Sequence, residues 1–477
     1  MPTPKFPTRR ARSRFLLVGF LFATTSLIAS ERPNILFFLA DDQRNDTLGC
    51  AGHAIVKTPH IDRLAAEGVR FTNAFVSHSI CWVSRTTILT GLVARTFGEK
   101  KRPDQARPEA LGGLCPDLLR RAGYRTGFFG KWHARMPESF KPAEHFDRFE
   151  HIFRDPFFKT QADGTRRHTT EIIADRGIEF LESQPAGKPF FLSLWFNAAH
   201  AEDGDRRPGV GHFPWPKAVD GLYEDLPMPP PRLADPEIFA SQPQHLKESI
   251  NRQRYFWRWD TPEKYQTNMR AYFRMLSGID GAVGRVLTAL QKRKLAENTI
   301  VVYTADNGYY MGDRGFAGKW SHYEESLRVP MIVRDPRLAK ERRGARSAAL
   351  ALNLDLPATF LDWAGVAVPR TYQGRSLRPL VESRVVSGWR TDFFCEHVIL
   401  APTLTWEGVR GERYVYARYF DQEPDYEFLH DLQVDPEQRK NFARTPKYRE
   451  TLAKMRLRCD ELVKKYGGAL LPLKDRR

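Results

Sequence analysis

The sequence predicts an α/β protein: a large, mostly parallel β-sheet sandwiched by helices, followed by a smaller C-terminal α+β domain with an antiparallel sheet. Three observations lead to this prediction. Short apolar runs are typical of strands buried on both faces, helical patterns lie between the runs, and a strand-like alternation of polar and apolar residues appears after residue 380. Hydrophobic residues make up 42% of the 477, enough for a sizeable core.

Four apolar runs are predicted strands of the parallel sheet. They occupy residues 34–40 (NILFFLA), 123–129 (GYRTGFF), 188–196 (KPFFLSLWF) and 299–305 (TIVVYTA). Helical periodicity appears around residue 115 and again from Asn268. The smaller domain is predicted from an alternating strand at 411–420 and a final helix at about 447–466.

Polar side chains follow each of the four predicted strands. They are Asp41 and Asp42 after the first, Lys131 and His133 after the second, His200 after the third, and Asp306 and Asn307 after the fourth. Open α/β sheets bind ligands beyond the carboxyl ends of their strands, so we expect these side chains to meet at one edge.

The acidic residues in this set predict a metal site. Asp41, Asp42 and Asp306 would repel one another unless a cation lay between them, and oxygen ligands suit a hard divalent cation. The histidines and cysteines lack the spacing of a zinc site. A capping or turn role is the alternative for each acid alone, but the second acidic strand end, Asp306-Asn307, favours the metal.

Basic side chains are predicted to line the same edge, namely Arg85, Lys131, His133, His200 and Lys319. Such a group beside a divalent metal suits an oxyanion, and two histidines can supply a general acid and a general base. Each residue alone is more typical of a solvated lysine or a structural histidine, so the prediction depends on the grouping.

The segment SICWVSRTTILTG, residues 79–91, resembles the signature of the sulfatase family, whose usual form is Cys-x-Pro-Ser-Arg followed by a Thr-Gly pair. Further segments resemble the other blocks of that family in order: RPNILFFLADDQRNDTLGC, GFFGKWH, FNAAH, DNG, GKWSHYEESLRVP and DLQVDPEQRKNFA. The resemblance spans residues 32–443. It implies an alkaline-phosphatase-like fold and an exported sulfuric ester hydrolase that removes sulfate from a sulfated carbohydrate.

The resemblance also implies a role for each site residue. Cys81 would be oxidised by a formylglycine-generating enzyme to formylglycine (3-oxoalanine), and one hydroxyl of the hydrated aldehyde attacks sulfur. The implied ligands of a Ca²⁺ ion that polarises this hydroxyl are Asp41, Asp42, Asp306 and Asn307. The implied proton carriers are His200, assisted by Lys319, for the leaving alcohol and His133 for the second hydroxyl, while Arg85 and Lys131 hold the diol.

Two positions depart from the family pattern. Val83 replaces the usual proline two residues after the cysteine, a position that helps the modifying enzyme recognise the segment. Arg314 lies in Gly-Asp-Arg-Gly, where the family often has Gly-Glu-His-Gly, and either contacts an acidic group on the substrate or faces solvent.

Three further residues are candidates for substrate binding: His322, Trp257 and Trp259. The tryptophans belong to a segment rich in proline and aromatic residues, 201–261, which lacks clear periodicity. Packing of this segment onto the body of the protein is the favoured alternative to a sugar pocket.

Residues 1–30 are predicted to be a signal peptide, residues 31–380 the catalytic domain and residues 381–477 the smaller domain. Five basic residues precede an apolar stretch of about 15 residues, shorter than the roughly 20 that span a bilayer. An uncleaved anchor is the alternative, and we expect no other membrane-inserted segment. Cleavage would release a periplasmic or secreted protein and lower the net charge from +17 to +12.

The basic charge and the cysteine count bound the partners. A basic exported protein suits a polyanionic glycan, although a merely solvated basic surface is an equal alternative, and the sequence carries no nucleic-acid-binding motif. If Cys81 is modified, Cys50, Cys115, Cys395 and Cys459 can pair in three ways. The number of subunits is not predicted.

Two other functions compete with a sulfatase. One is a phosphodiester or phosphonate monoester hydrolase with the same metal and formylglycine. The other is a non-catalytic binder of sulfated polymers, in which Cys81 remains a thiol.

Overall fold

The computed structural model describes residues 1–5, 32–205, 207, 209–383, 385–399, 405–420 and 422–470. Residues 6–30 of the predicted signal peptide lie outside this set. Among the described residues, no helix is both long enough and apolar enough to cross a membrane.

Sixteen strands are formed by the described residues. They are β1 (Asn34–Ala40), β2 (Val69–Phe71), β3 (Ala74–Phe75), β4 (Arg125–Gly130), β5 (Arg148–His151), β6 (Phe158–Thr160), β7 (Arg166–His168), β8 (Phe190–Trp195), β9 (Thr299–Ala305), β10 (Met331–Arg334), β11 (Ala345–Ser347), β12 (Ala351–Leu352), β13 (Asp392–His397), β14 (Trp406–Gly411), β15 (Tyr414–Tyr419) and β16 (Tyr426–Asp431).

The α-helices of the same residues vary from four to 31 residues in length. They are α1 (Pro59–Glu67), α2 (Cys81–Thr90), α3 (Ala94–Phe97), α4 (Cys115–Arg121), α5 (Thr169–Glu182), α6 (Pro236–Ala240), α7 (Gln244–Lys247), α8 (Ile250–Arg258), α9 (Pro262–Lys292), α10 (Glu324–Leu327), α11 (Leu356–Trp363), α12 (Arg378–Glu382) and α13 (Arg449–Lys465).

The main sheet has eight strands in the order β11-β2-β10-β9-β1-β8-β4-β5. Five neighbours, β9, β1, β8, β4 and β5, run parallel, whereas β10 is antiparallel to both β9 and β2. In the centre, Leu36 of β1 pairs with Leu192 of β8 on one side and with Val301 of β9 on the other. The predicted large, mostly parallel sheet is confirmed.

Helices cover both faces of this sheet, as the buried strands require. Phe191 of β8 packs against Phe360 of α11, with ring centroids 5.3 Å apart. Leu194, three residues further along and therefore on the opposite face, packs against α5. A Cβ at Gly177 of α5 would lie 2.7 Å from Leu194 Cδ1, so glycine lets this helix approach the sheet closely.

The second sheet is antiparallel, in the order β13-β14-β15-β16, and α13 packs against it. Its apolar face includes Phe394 and Tyr416, which share a buried cluster with Cys459 and Leu462 of α13. Both sheets belong to one compact unit, Arg32–Arg477. All five cysteines are described, and all are free thiols, so none of the three possible pairings is formed.

The predicted elements differ from the observed ones mainly at their ends. β4 begins at Arg125 because Gly123 takes a left-handed turn conformation, with φ of +93°. Helix α9 begins at Pro262, six residues before the predicted start, where the Thr261 side chain accepts the N–H of Lys264 as an N-cap. The 201–261 segment is more regular than its sequence indicated, because it contains α6, α7 and α8.

Candidate active site

The carboxyl ends of β4, β8, β1 and β9 lie side by side and lead into the predicted site residues. Backbone hydrogen bonds continue beyond the strands: the N–H of Asp41 donates to the carbonyl of Ala198 at 2.9 Å, and that of Asp306 donates to Ala40 at 3.0 Å. The N–H of Lys131 likewise donates to Trp195 at 2.9 Å. These bonds hold the first residues after the strands in register.

Helix α2 brings Cys81 and Arg85 to the same edge. Cys81 is the first residue of the helix and is 3% exposed, and Arg85 follows one turn later on the same side. The Arg85 Nε donates to Asp306 Oδ2 at 2.8 Å, and its Nη2 lies 3.3 Å from Asp41 Oδ2. Cys81 is an electrostatic neighbour of Arg85, Asp306 and Lys319. The thiol therefore lies beside the acidic strand ends.

Two lysines complete a buried network of charges. The Nζ of Lys131 pairs with Asp41 Oδ2, and the Nζ of Lys319 pairs with Asp42 Oδ1. With Arg85 there are three basic side chains against three carboxylates, Asp41, Asp42 and Asp306, so the formal charges balance. An anionic ligand would require additional positive charge here.

Carboxylate pKa values in the network move in opposite directions. Burial raises the pKa of Asp41, but Lys131 and Arg85 outweigh it and leave that pKa well below its ordinary value. Burial and the charge of Asp41 raise the pKa of Asp306. Burial likewise raises the pKa of Asp42. Two of the three carboxylates are therefore poorly compensated by protein alone, which favours a bound cation.

Three buried oxygen atoms of the predicted metal ligands lack hydrogen-bond partners. They are Oδ1 of Asp41, Oδ2 of Asp42 and Oδ1 of Asn307. Buried polar atoms normally have partners, and a hard divalent cation would satisfy all three. The fourth predicted ligand differs, because Asp306 Oδ2 accepts from Arg85 and Oδ1 accepts the N–H of Asp42 at 3.3 Å. The donor set fits a cation with oxygen ligands.

His133 lies at the end of β4 with a left-handed backbone, φ of 47°, as does Asp42 at 49°. Such conformations cost energy in residues other than glycine and cluster at functional sites. The His133 ring meets the Trp82 ring edge to face, with centroids 5.6 Å apart, and its buried Nδ1 has no partner. Burial, Lys131 and Arg85 lower its pKa to about 2, so the imidazole is neutral.

His200 approaches the cluster from β8. Its Nδ1 donates to the carbonyl of Ala201 at 2.7 Å, which leaves Nε2 facing Asp42 Oδ2 at 3.7 Å. Burial, followed by the charges of Arg154, Lys131 and Lys319, lowers the pKa of His200 far below its ordinary value. Atoms of Asp41, Asp42 and His200 lie within 4.8 Å of one another, so His200 borders the predicted metal site.

Arg314 and His322 lie in other contacts. The Arg314 guanidinium pairs with Glu325 at 3.2 Å and donates to the carbonyl of Gln438 at 3.0 Å, and the residue is 1% exposed. His322 is hydrogen-bonded to the hydroxyl of Tyr419 and to His430. These contacts pair both residues with other protein groups, and contact of either residue with substrate stays a prediction.

The tryptophans of the 201–261 segment differ from each other. Trp259 is 3% exposed and packs among Phe213, Tyr265 and Tyr309, as the packing alternative predicted, so it is left out of the site. Trp257 is half-buried, with the guanidinium groups of Arg254 and Arg258 over its ring.

One group near the site was missed by the sequence analysis. Strand β5 is short and partly exposed, with the sequence RFEH rather than an apolar run, so the segment after it was not assigned to the sheet edge. The backbone N–H of Ile152 donates to Gly130, and Asn197 Nδ2 donates to the Ile152 carbonyl at 2.8 Å. Phe153 and Arg154 follow directly and lie near His133.

Known proteins resemble this chain over most of its length. The sulfatase family model matches residues 33–366, and a model described as the C-terminal region of N-sulphoglucosamine sulphohydrolase matches residues 312–465. A Bacteroides thetaiotaomicron protein named N-acetylglucosamine-6-O-sulfatase is 28% identical, over 92% of this chain and 87% of its own length.

Solved structures share the fold. One, described as a complex with its substrate D-glucosamine-2-N,6-O-disulfate, has a TM-score of 0.74 at 26% identity and covers 91% of this chain and 98% of its own. A phosphonate monoester hydrolase from Silicibacter pomeroyi has a TM-score of 0.75 at 22% identity, covering 91% and 96%, which shows a shared fold alone. Because the family model covers more than half of the chain, this protein belongs to the sulfatase family and is a type I sulfatase, a hydrolase of the alkaline phosphatase superfamily.

Proposed function

We propose that this protein removes sulfate from a sulfated carbohydrate, with formylglycine derived from Cys81 as the nucleophile and with a Ca²⁺ ion at the strand ends. The observation that carries the proposal is the position of Cys81, at the start of α2 and beside a buried cluster whose ligand oxygens lack partners. A buried cysteine that only filled space would not need three cations and three carboxylates around it.

The cation would be held by Asp41, Asp42 and Asn307 through their unpartnered oxygens, with Asp306 as the fourth ligand. When bound, it supplies positive charge that lowers the pKa of an oxygen nucleophile and offsets the charge of the sulfate. The four oxygen ligands suit a hard divalent cation, and calcium is the proposed ion because the likeness to sulfatases implies it.

The basic side chains then divide into two roles. Arg85 and Lys131 fix the carboxylates by ion pairs, which orients the ligands before substrate arrives. Lys319, paired with Asp42, lies where its charge also reaches residue 81.

The two histidines are proposed to move protons. The neutral His133 accepts a proton from the oxidised side chain at position 81, since its Nδ1 is unpartnered. His200 protonates the leaving alcohol through Nε2, because Nδ1 is already committed to Ala201. Its imidazolium form requires the negative charge of a bound sulfate, which opposes the effect of the surrounding cations.

A carbohydrate substrate is supported by the relatives and by charge. Both the Bacteroides relative and the disulfate complex are described with sulfated glucosamines. The net charge of +17, or +12 without the predicted signal peptide, suits a polyanionic partner. We propose export to the periplasm or medium, and maturation by a formylglycine-generating enzyme that accepts Val83.

The proposal is tested by comparing kcat/KM for an aryl sulfate, an aryl phosphodiester and an aryl phosphonate, with the wild type and with Cys81→Ala purified identically. We expect the sulfate to be preferred and all turnover to depend on Cys81. Preference for the phosphodiester or phosphonate by orders of magnitude would replace the sulfatase with that hydrolase. Binding of sulfated polymer without any turnover would identify a non-catalytic binder.

A further inference from the structure

We propose that Arg154 recognises a second anionic group on the substrate, a sulfate or a uronate carboxylate separate from the sulfate that is removed. This inference rests on the proposed function and narrows its substrate class. It assigns a specificity role to the loop after β5, a loop that contains none of the predicted site residues.

The position of this loop is fixed by its neighbours. The backbone N–H of Ile152 donates to the carbonyl of Gly130, three residues before His133. The carbonyl of Ile152 accepts from the side chain of Asn197, three residues before His200. The Phe153 ring lies 6.4 Å from that of His133. Arg154 therefore lies beside the two histidines, and its charge acts on both of them.

The guanidinium of Arg154 is poorly satisfied by protein. Its side chain is only 13% exposed, yet its buried Nε has no hydrogen-bond partner. The nearest described carboxylate is that of Asp155, at 3.7 Å, which is beyond hydrogen-bond distance and whose side chain is 53% exposed to water. A buried donor without an acceptor is costly, so a ligand that supplies one is favoured.

The nearest acids do not supply the missing acceptor. Asp203 is shared by Arg254, at 2.8 Å, and Arg258, at 2.7 Å. Asp155 lies 3.7 Å from Arg154, and Glu202 interacts with Arg154 through its charge. The formal charges of these residues are close to balance, but the buried Nε of Arg154 still lacks the acceptor that a second anion would provide.

The geometry suits a bidentate acceptor. Arg154 Cζ lies 5.4 Å from the centroid of the Phe153 ring, and this contact restrains the guanidinium. A restrained guanidinium binds sulfate or carboxylate through two parallel N–H donors, and lysine does not reproduce that arrangement.

The test uses matched pairs of saccharides that share one sulfate ester and differ by a second sulfate or a uronate carboxylate, such as D-glucosamine 6-O-sulfate and D-glucosamine-2-N,6-O-disulfate. The pair with the highest wild-type turnover is used, with 4-nitrophenyl sulfate as a reference that has no second anion. We expect the wild type to prefer the doubly anionic member at least tenfold in kcat/KM.

Arg154→Gln should remove this preference, mainly through KM, and leave 4-nitrophenyl sulfate turnover within about threefold. Arg154→Lys should restore little of it. Arg148→Gln is the matched control, because Arg148 is an exposed arginine on the strand that precedes the loop. It should change neither the preference for the doubly anionic saccharide nor the turnover of 4-nitrophenyl sulfate.

The inference is overturned if the wild type shows no preference in any pair, or if Arg154→Gln lowers kcat/KM equally for both members and for 4-nitrophenyl sulfate. The latter result would place Arg154 on the reacting sulfate. Absence of all sulfatase activity in the wild type would instead contradict the proposed function. Comparing the substrate pairs that differ by a sulfate with those that differ by a carboxylate identifies which of the two anions Arg154 binds.

Discussion

The inner cluster at the strand ends and the arginines beside it (Arg154, Arg254 and Arg258) differ in how their hydrogen-bond donors are satisfied. In the inner cluster, each of Arg85, Lys131 and Lys319 pairs with a buried carboxylate. Among the neighbouring arginines, Arg254 and Arg258 share Asp203, and Arg154 has a buried donor without a partner. The contrast separates the proposed reaction centre from the proposed site for a second anion, and substitutions in the two regions should therefore have different effects.

Cys81→Ala should have the largest effect. We expect activity to fall by at least about 1,000-fold, because the nucleophile is removed. The fold should survive, since the change deletes one small buried atom at a helix start. Cys115→Ala, at another buried thiol near the start of a helix, is the control for loss of a sulfur atom. Activity in Cys81→Ala at wild-type level would remove residue 81 from the reaction.

Asp306→Asn should have the next largest effect, because it keeps the shape of the side chain but removes one of the balancing charges. We expect cation affinity to fall by more than about 100-fold and activity to fall with it. The measurement is Ca²⁺ content by mass spectrometry together with the Ca²⁺-dependent rise in Tm, which the wild type should show and the variant should not. Equal Ca²⁺ content in both proteins would exclude Asp306 from the site.

His200→Gln should slow the reaction selectively. A general acid matters most for a poor leaving group, so sugar sulfates should lose about 100- to 1,000-fold in kcat, and a nitrophenyl sulfate less than about tenfold. Rates measured across a series of leaving-group pKa values check this. A uniform loss across the series would mean that His200 binds the cation or the sulfate rather than protonating the alcohol.

Arg95→Ala should leave kcat nearly unchanged and lower the stability of the protein, because Arg95 lies outside the proposed site. Buried Arg95 pairs with Glu396 at 2.9 Å and Glu407 at 2.6 Å, joining α3 to the C-terminal sheet. Breaking this buried network should cost about 3–5 kcal/mol of unfolding free energy.

The half-exposed pair Arg456–Glu427 is the matched control for Arg95, and Arg456→Ala should cost no more than about 1 kcal/mol. Unfolding in denaturant and kcat of the folded variants are the measurements. A large loss of kcat in folded Arg95→Ala would show that the C-terminal sheet shapes the reaction centre.

The fold and the inner cluster were largely predictable because each signal was local. β1 and β9 are continuous apolar runs whose ends agree with the prediction, and the acids that follow them lie at adjacent positions in the sheet. The motif around Cys81 predicted the proposed nucleophile directly. Residues that directly follow parallel strands meet in space, because those strands end at the same edge of the sheet.

The position of the loop after β5 was not predictable for the opposite reason. β5 has no apolar signature, so nothing in the sequence connected Arg154 to His133. Arg314 shows the same limit of spacing, since its motif position indicated either substrate or solvent contact, whereas the side chain is buried and pairs with Glu325, 11 residues away. Whether an arginine is paired within the protein or is available to a ligand depends on which carboxylates lie against it in the fold. The spacing of residues in the sequence does not reveal those contacts.

The central claim is that an oxidised side chain at position 81 lies among these strand ends and performs the hydrolysis. Mass spectrometry of the tryptic peptide 71–85 from catalytically active enzyme tests it most directly. We predict a peptide about 18 Da lighter than the cysteine form, in proportion to specific activity. Fully active enzyme in which every copy of this peptide keeps an unmodified thiol would contradict the account.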